Sequence, residues 1–409
     1  MNRSFLKFLG PGLLITVGFI DPGNWAANVA AGAQYGYALL WMMTLSTLML
    51  ILLQHNAAHL GIATGLCLSE ATTQHLPRWL ARPILGSAMV AAVSTALAEI
   101  LGGALALNLL FGFPVKLAAL LVTVMSVVFL LTNSYRRVEK LIIGFVSLIG
   151  LSFLFELWQV KVDWGAAVCG AVMPTFPLGA MPIIMSVLGA VIMPHNLFLH
   201  SEIIQSRQWN RSDETIIRRE LRYEFLDTLV SMGIGWGING AMIILAAATF
   251  FQAGTVVTDL RQASVMLQPL AGHAAALVFA LALLFSGLAS SITAGMAGGS
   301  ICAGLFGQEY DLHERTSKAG VGLTLGLALG GILLVVRDPF QGLILSQILL
   351  GLQLPITIIT QIRLTSSPKV MGTHANTKPE QVALWIVAAT VIMLNLFLLI
   401  SLFQSAGPV

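Results

Sequence analysis

Asp21-Pro22-Gly23-Asn24 interrupts one long apolar stretch, over about 9–33, and Met193-Pro194-His195 interrupts another, over about 181–205. Proline and glycine inside a membrane helix release backbone amides and carbonyls that lipid cannot satisfy, so each break must face protein or a cavity. The rest of the chain says that these stretches do cross a membrane. Of 409 residues, 57% are hydrophobic and only 10% charged, where soluble domains carry about a quarter charged residues. A span needs about 20 mostly apolar residues, and further stretches of that kind lie at about 38–61, 84–111, 115–133, 140–160, 223–251, 273–305, 318–336, 341–362 and 382–405. The chain therefore has about eleven helices by this criterion.

Charge sets the expected orientation. With the N-terminus inside, every Lys and Arg except Lys116, Lys161, Arg261 and Arg337 falls on the inner side, which is the cytoplasmic bias of membrane proteins. A multi-pass protein of the bacterial cytoplasmic membrane is expected, N-terminus cytoplasmic and C-terminus outside. The net charge of +3 is spread over short loops and gives no nucleic-acid surface. The longest polar loops, 206–222 and 306–317, are too short to bury a soluble core. Cys67, Cys169 and Cys302 lie far apart with no CxxC spacing, so they are read as packing residues rather than a disulfide or zinc framework. Arg3 and Lys7 ahead of an apolar run imitate a signal peptide, but such a peptide has no use for Asp-Pro-Gly-Asn.

Broken first and sixth spans are what an inverted repeat of five helices plus five produces, with half-helix ends meeting at the midplane around a substrate. The repeats are placed at about 9–160 and 181–362, in one transmembrane domain, with an accessory helix at about 382–405. At the breaks Asp21 offers a carboxylate, Asn24 a carboxamide oxygen and Met193 a thioether, and the unwound turns offer the carbonyls of Gly18 and Ala190. A lone Met in an apolar helix is usually packing, and Pro is common in membrane helices. An Asp within a span is different, because a carboxylate there costs at least a few kcal/mol and marks a functional site by default. Oxygen donors alone would serve Mg²⁺, Ca²⁺ or Mn²⁺, whereas a thioether adds affinity only for softer, later ions, so Mn²⁺ or Fe²⁺ is favoured over Mg²⁺ and Ca²⁺.

These motifs resemble those of the Nramp family of divalent metal transporters, whose first helix carries DPGN and whose sixth carries MPH. The resemblance continues through Asn196-Leu197-Phe198-Leu199-His200-Ser201, through Gly61-Ile62-Ala63-Thr64-Gly65 after the second helix and through Leu267-Gln268-Pro269-Leu270 before the eighth. It implies an all-α, LeuT-like membrane fold and import of divalent metal by alternating access, usually with proton cotransport. It also implies that Asp21, Asn24, Met193 and the Ala190 carbonyl bind the metal, that Gln347 joins from the tenth helix, and that Asn239 in the seventh lies near the outer gate.

In the family the equivalents of Asp21, His195 and Glu99 carry protons. His titrates near neutral pH, so His200 is a further candidate, set against a reading as gate or packing; Glu202, seven residues past His195, shares nearly its helical face. Many bacterial relatives place an Asp three residues before the third-helix Glu, where this chain has Ala96, and paired arginines early in the ninth helix, where it has Val321-Gly322. Acid and bases are missing together, as compensated loss of a buried charge network requires. The expectation is metal specificity retained, with proton transport weakened or rerouted through Glu99 and His195.

Three other readings compete: an amino-acid permease on the same fold, a magnesium transporter related to Nramp, and a membrane enzyme. A permease has no reason to present Asp21 with Met193, Met193 argues against magnesium, and His195 with His200 at i,i+5 forms no HExxH pair. No cofactor is expected; the partners are the transported ion, protons and the lipid bilayer, and the protein is expected to act as a monomer. Gly18, Gly23 and Gly189 are read as hinges, and Gly287, Gly295, Gly298 and Gly299 as sites of close helix packing.

Overall fold

The computed structural model describes residues 21–132, 150, 152–205, 214–267 and 272–405. Among these the regular structure is helical: α1 Pro22–Tyr35, α2 Leu40–Thr64, α3 Leu68–His75, α4 Arg78–Phe111, α5 Val115–Leu131, α6 Trp164–Val172, α7 Met181–Val191, α8 Pro194–Gln205, α9 Glu214–Ala246, α10 Ala275–Leu305, α11 Arg315–Leu334, α12 Pro339–Thr365, α13 Pro368–Met371 and α14 Lys378–Ser405. Nine of the eleven expected spans appear: α2, α4, α5, the pair α7 and α8, α9, α10, α11, α12 and α14. The first span is described from Asp21 onward, and of the span at 140–160 most lies outside the described residues, with 152–156 helical. Arg3, Lys7, Gly18 and Gln268-Pro269-Leu270 also lie outside them.

Local sequence fixes the helix ends. α1 and α8 each begin on a proline at the first helical position, where the missing N–H is not needed. α2 ends on Gly65 and α4 on Gly112, both in the left-handed region with φ 70°. Gly61-Ile62-Ala63-Thr64 is thus the last turn of α2 and not a segment beyond it. Asp338 caps α12 by accepting from the amides of Phe340 and Gln341 at 2.8 and 3.1 Å. Three elements were not anticipated. α3 is too polar and α6 too short to cross a membrane, and the loop read over 206–222 is helical from Glu214, because its charged residues extend the seventh span beyond its apolar part.

Burial orders the bundle. In the most apolar 18-residue window of α7 and α8, 94% of residues are buried, against 33% for α14; the broken span is central and the last helix peripheral. Val124, Val128, Leu327, Ile386 and Ile400 point outward, as lipid-facing side chains must. Small residues let the inner helices touch. A Cβ on Gly287 of α10 would stand 2.7 Å from the Gly103 nitrogen and 2.8 Å from the Glu99 carbonyl of α4, and those on Gly298 and Gly299 would meet Thr324 and Val321 of α11. Gly295 would press on Leu130 of α5 at 3.0 Å. The close-packing reading of these four glycines holds, with backbones approaching where lipid supplies no hydrophobic drive. Cys67 and Cys302 are buried, whereas Cys169 is exposed at the surface of α6, which corrects its reading as a packing residue.

Candidate functional site between the two helix breaks

Asp21 stands immediately before α1 and accepts from an amide of its first turn, Asn24 N to Oδ1 at 2.6 Å, and from the Asn24 side chain, Nδ2 to Oδ2 at 3.2 Å. The carboxylate thereby faces the positive end of the half-helix, which favours negative charge there. Both donations leave the Asn24 Oδ1 atom buried with no hydrogen-bond partner. Gln347 of α12 reaches the same place. A Cβ on Gly23 would overlap the Gln347 carboxamide and lie 3.2 Å from Asp21 Oδ1, and Gln347 Oε1 is likewise buried and unpartnered.

The second break meets the same residue from the other side. α7 ends at Val191, and Gly189 in its last turn abuts the Gln347 backbone so closely that a Cβ there would overlap the Gln347 carbonyl oxygen. Gly23 and Gly189 are therefore contact positions around Gln347, a requirement of space beyond the hinge role read from sequence. The Ala190 carbonyl has no helical donor because the residue four positions on, Pro194, lacks an N–H. Gly18 stands in the same relation to Pro22 in the sequence and lies outside the described residues. Met193 is buried between Ala91 and Leu350, and its sulfur accepts from Asn196 Nδ2 at 3.3 Å. Asp21, Asn24, Ala190, Met193 and Gln347 are all buried, so the site is occluded.

Donor atoms that lack a partner inside a membrane protein are costly unless something else satisfies them. Here they are two carboxamide oxygens beside a carboxylate, with a helix-end carbonyl and a thioether at the facing break. This is the donor set of a partly soft divalent cation.

Asn28, one turn beyond Asn24, donates from Nδ2 to Asn239 Oδ1 at 2.6 Å, and Asn239 donates to the Gly235 carbonyl at 2.9 Å. Trp25 packs beside them on Phe153 and Phe279, ring centroids 5.9 and 5.2 Å apart. Asn239→Ala removes the acceptor of a buried amide, a loss of about 1–3 kcal/mol, and is expected to lower the melting temperature of the detergent-solubilised protein. An unchanged melting temperature would mean that this contact does not hold the occluded form.

The ionisable residues separate into two groups. Glu99 of α4 is buried within Coulombic range of Asp21, both carboxylate oxygens without a hydrogen-bond partner. His195 Nδ1 is 3.0 Å from Thr95 Oγ1, also on α4. Ala96 is buried, and Val321 faces the bundle while Gly322 faces outward, so only Val321 occupies an inward position of α11. His200 and Glu202 turn elsewhere: His200 Nε2 lies 3.3 Å from Glu224 of α9, and Glu202 accepts from Ser300 of α10 at 2.9 Å. Sequence reading missed Thr95, Asn28, Glu224 and His55, the last 2.5 Å from Glu224; the only sequence signal for Glu224 was an acidic residue inside an apolar helical period.

The model of the natural resistance-associated macrophage protein-like family, Nramp, matches residues 12–401. The chain is 39% identical over 413 residues to a divalent metal cation transporter MntH of Brucella suis, covering 99% of this chain and 90% of that one. It is 37% identical to a protein of the same name from Caldanaerobacter subterraneus, covering 97% and 93%. A crystal structure of the Eremococcus coleocola manganese transporter superposes with TM-score 0.80 at 27% identity, over 100% of this chain and 93% of that one. The nucleobase-cation symporter Mhp1 in a closed conformation superposes with TM-score 0.64 at 15% identity, over 97% and 93%, and shares the fold alone. With this LeuT-like architecture, the two intact breaks and a family match over nearly its whole length, the chain belongs to the Nramp family.

Proposed function

We propose that this chain imports divalent transition-metal ions, Mn²⁺ and Fe²⁺, across the bacterial cytoplasmic membrane by alternating access. One observation carries the reading: Asn24, whose Nδ2 donates to the Asp21 carboxylate, and Gln347, whose carboxamide packs on Gly23, each keep a buried side-chain oxygen without a partner. A cation that draws both oxygens to the carboxylate satisfies them together. Met193 and the Ala190 carbonyl complete the set from the facing break, and the thioether selects a transition metal over Mg²⁺ and Ca²⁺. The names of the two MntH relatives and of the Eremococcus coleocola transporter agree with this substrate class.

An amino-acid substrate fits less well. On such folds a half-helix N-terminus holds the substrate carboxylate, and here the protein's own Asp21 occupies the α1 terminus through Asn24 N. Transport follows if the α1 and α7–α8 elements rock against the scaffold, since an ion bound between them shifts the equilibrium by its differential affinity for the two states. The five-plus-five repeat at about 9–160 and 181–362, a cytoplasmic N-terminus, an outer C-terminus and monomeric action belong to the same proposal.

Proton coupling takes a reduced form in this reading. Ala96 and Val321 put no charge at the two positions where many bacterial relatives carry one, and Glu99 of α4 with His195 is the remaining route near Asp21. Proteoliposomes carrying a lumenal pH dye test both parts. Mn²⁺ uptake is expected with little lumenal acidification. Absence of Mn²⁺ uptake overturns the substrate assignment, and robust acidification in step with uptake overturns the weakened coupling.

A further inference from the structure

We infer that Glu224 is a positioning residue that latches the inner half of the broken sixth span to the scaffold, and that His55 and His200 complete this latch. The inference rests on the transport reading above, because a latch has meaning only if α8 moves. Glu224 is buried on α9 and joins three helices. Its Oε2 lies 2.5 Å from His55 Nδ1 on α2, its Oε1 lies 3.3 Å from His200 Nε2 on α8, and Thr228 donates to Oε1 at 2.7 Å. Neither helix break uses any of these groups.

The geometry gives the cluster a dry end and a wet end. His200 is 1% exposed, whereas the His55 side chain is 31% exposed, and His55 lines a cavity of about 280 Å³ with His59, Asn56, Asn376 and Glu380. The groups around the cluster are His59, stacked on His55 at 6.5 Å, His374, Glu380 of α14, and Glu220 and Asp227 on the helix of Glu224 itself. Hydrogen bonds to a carboxylate are charge-assisted and stronger than neutral ones, so Glu224 ties His200 of α8 and His55 of α2 to α9 at one point. Moving α8 away from α9 removes one partner of a buried carboxylate, which the low-dielectric interior penalises. Glu224 therefore holds α8 against α9.

The test reads α8 directly. A cysteine at Ile204, buried on α8 against Gly61 of α2, is labelled with a membrane-permeant maleimide in reconstituted protein, with the protein lacking it as background. His55→Gln and Glu224→Gln are each expected to raise the rate about tenfold, with Mn²⁺ affinity by calorimetry unchanged. If Glu224→Gln does not fold, the partly exposed His55→Gln decides alone. A labelling rate left at the wild-type value by these substitutions overturns the latch. Failure of the wild type to bind Mn²⁺ instead overturns the functional reading, because the labelling needs no metal.

Discussion

Asp21→Asn is expected to reduce Mn²⁺ uptake by at least about 100-fold, equivalent to about 2.7 kcal/mol, while the protein stays folded. Asparagine is nearly isosteric with aspartate and its Oδ1 still accepts from Asn24 N, so the α1 cap survives. What disappears is the only formal negative charge among the proposed ligands: Asn24 and Gln347 are neutral, and Met193 and Ala190 contribute lone pairs alone. Uptake in proteoliposomes, with size-exclusion profile and melting temperature as controls for folding, separates lost binding from lost structure. Uptake within tenfold of wild type would remove Asp21 from the ligand set.

Gly23→Ala is expected to lower uptake about tenfold through a different physical cause, loss of room. The added Cβ would overlap the Gln347 carboxamide, with its Cδ only 2.6 Å away, and would also sit 3.2 Å from Asp21 Oδ1. Something must shift, and Gln347 is the flexible party, so its oxygen leaves the site. Because both changes act on one contact, their effects should not add. Gln347→Ala alone loses the oxygen, and Gly23→Ala on top of it is expected to cost little more. Full additivity of the two in uptake assays would mean that Gly23 serves some purpose other than seating Gln347.

Local chemistry made much of this molecule legible in its sequence. Asp21, Pro22 and Gly23 announce a capped half-helix start inside an apolar run, and Pro194 does the same while also depriving Ala190 of its donor. The glycines of α10 were recognisable as contact positions because four small residues within one span have little other use. What stayed hidden depends on pairing across long separations. His200 and Glu224 are 24 residues apart across a polar segment, His55 and Glu224 are 169 apart, and Thr95 and His195 are 100 apart. No periodicity within one helix encodes which neighbour it will meet. Gln347 is a related case: resemblance placed it at the site, but only packing shows why, since its backbone seats Gly189 and its side chain seats Gly23. The polar segment at 206–222 was misread for the opposite reason, because a low apolar content hides the helix that starts at Glu214.

In the proposed function, Met193 is what selects a transition metal at this site. Proteoliposome uptake of Mn²⁺ and Mg²⁺, each measured for wild type and Met193→Ala, tests it most directly. Wild type is expected to prefer Mn²⁺, and the substitution to lower the Mn²⁺ to Mg²⁺ ratio about tenfold, the equivalent of one weak metal–sulfur bond of about 1.4 kcal/mol. A ratio unchanged by Met193→Ala would contradict it and leave the thioether, buried between Ala91 and Leu350, as packing alone.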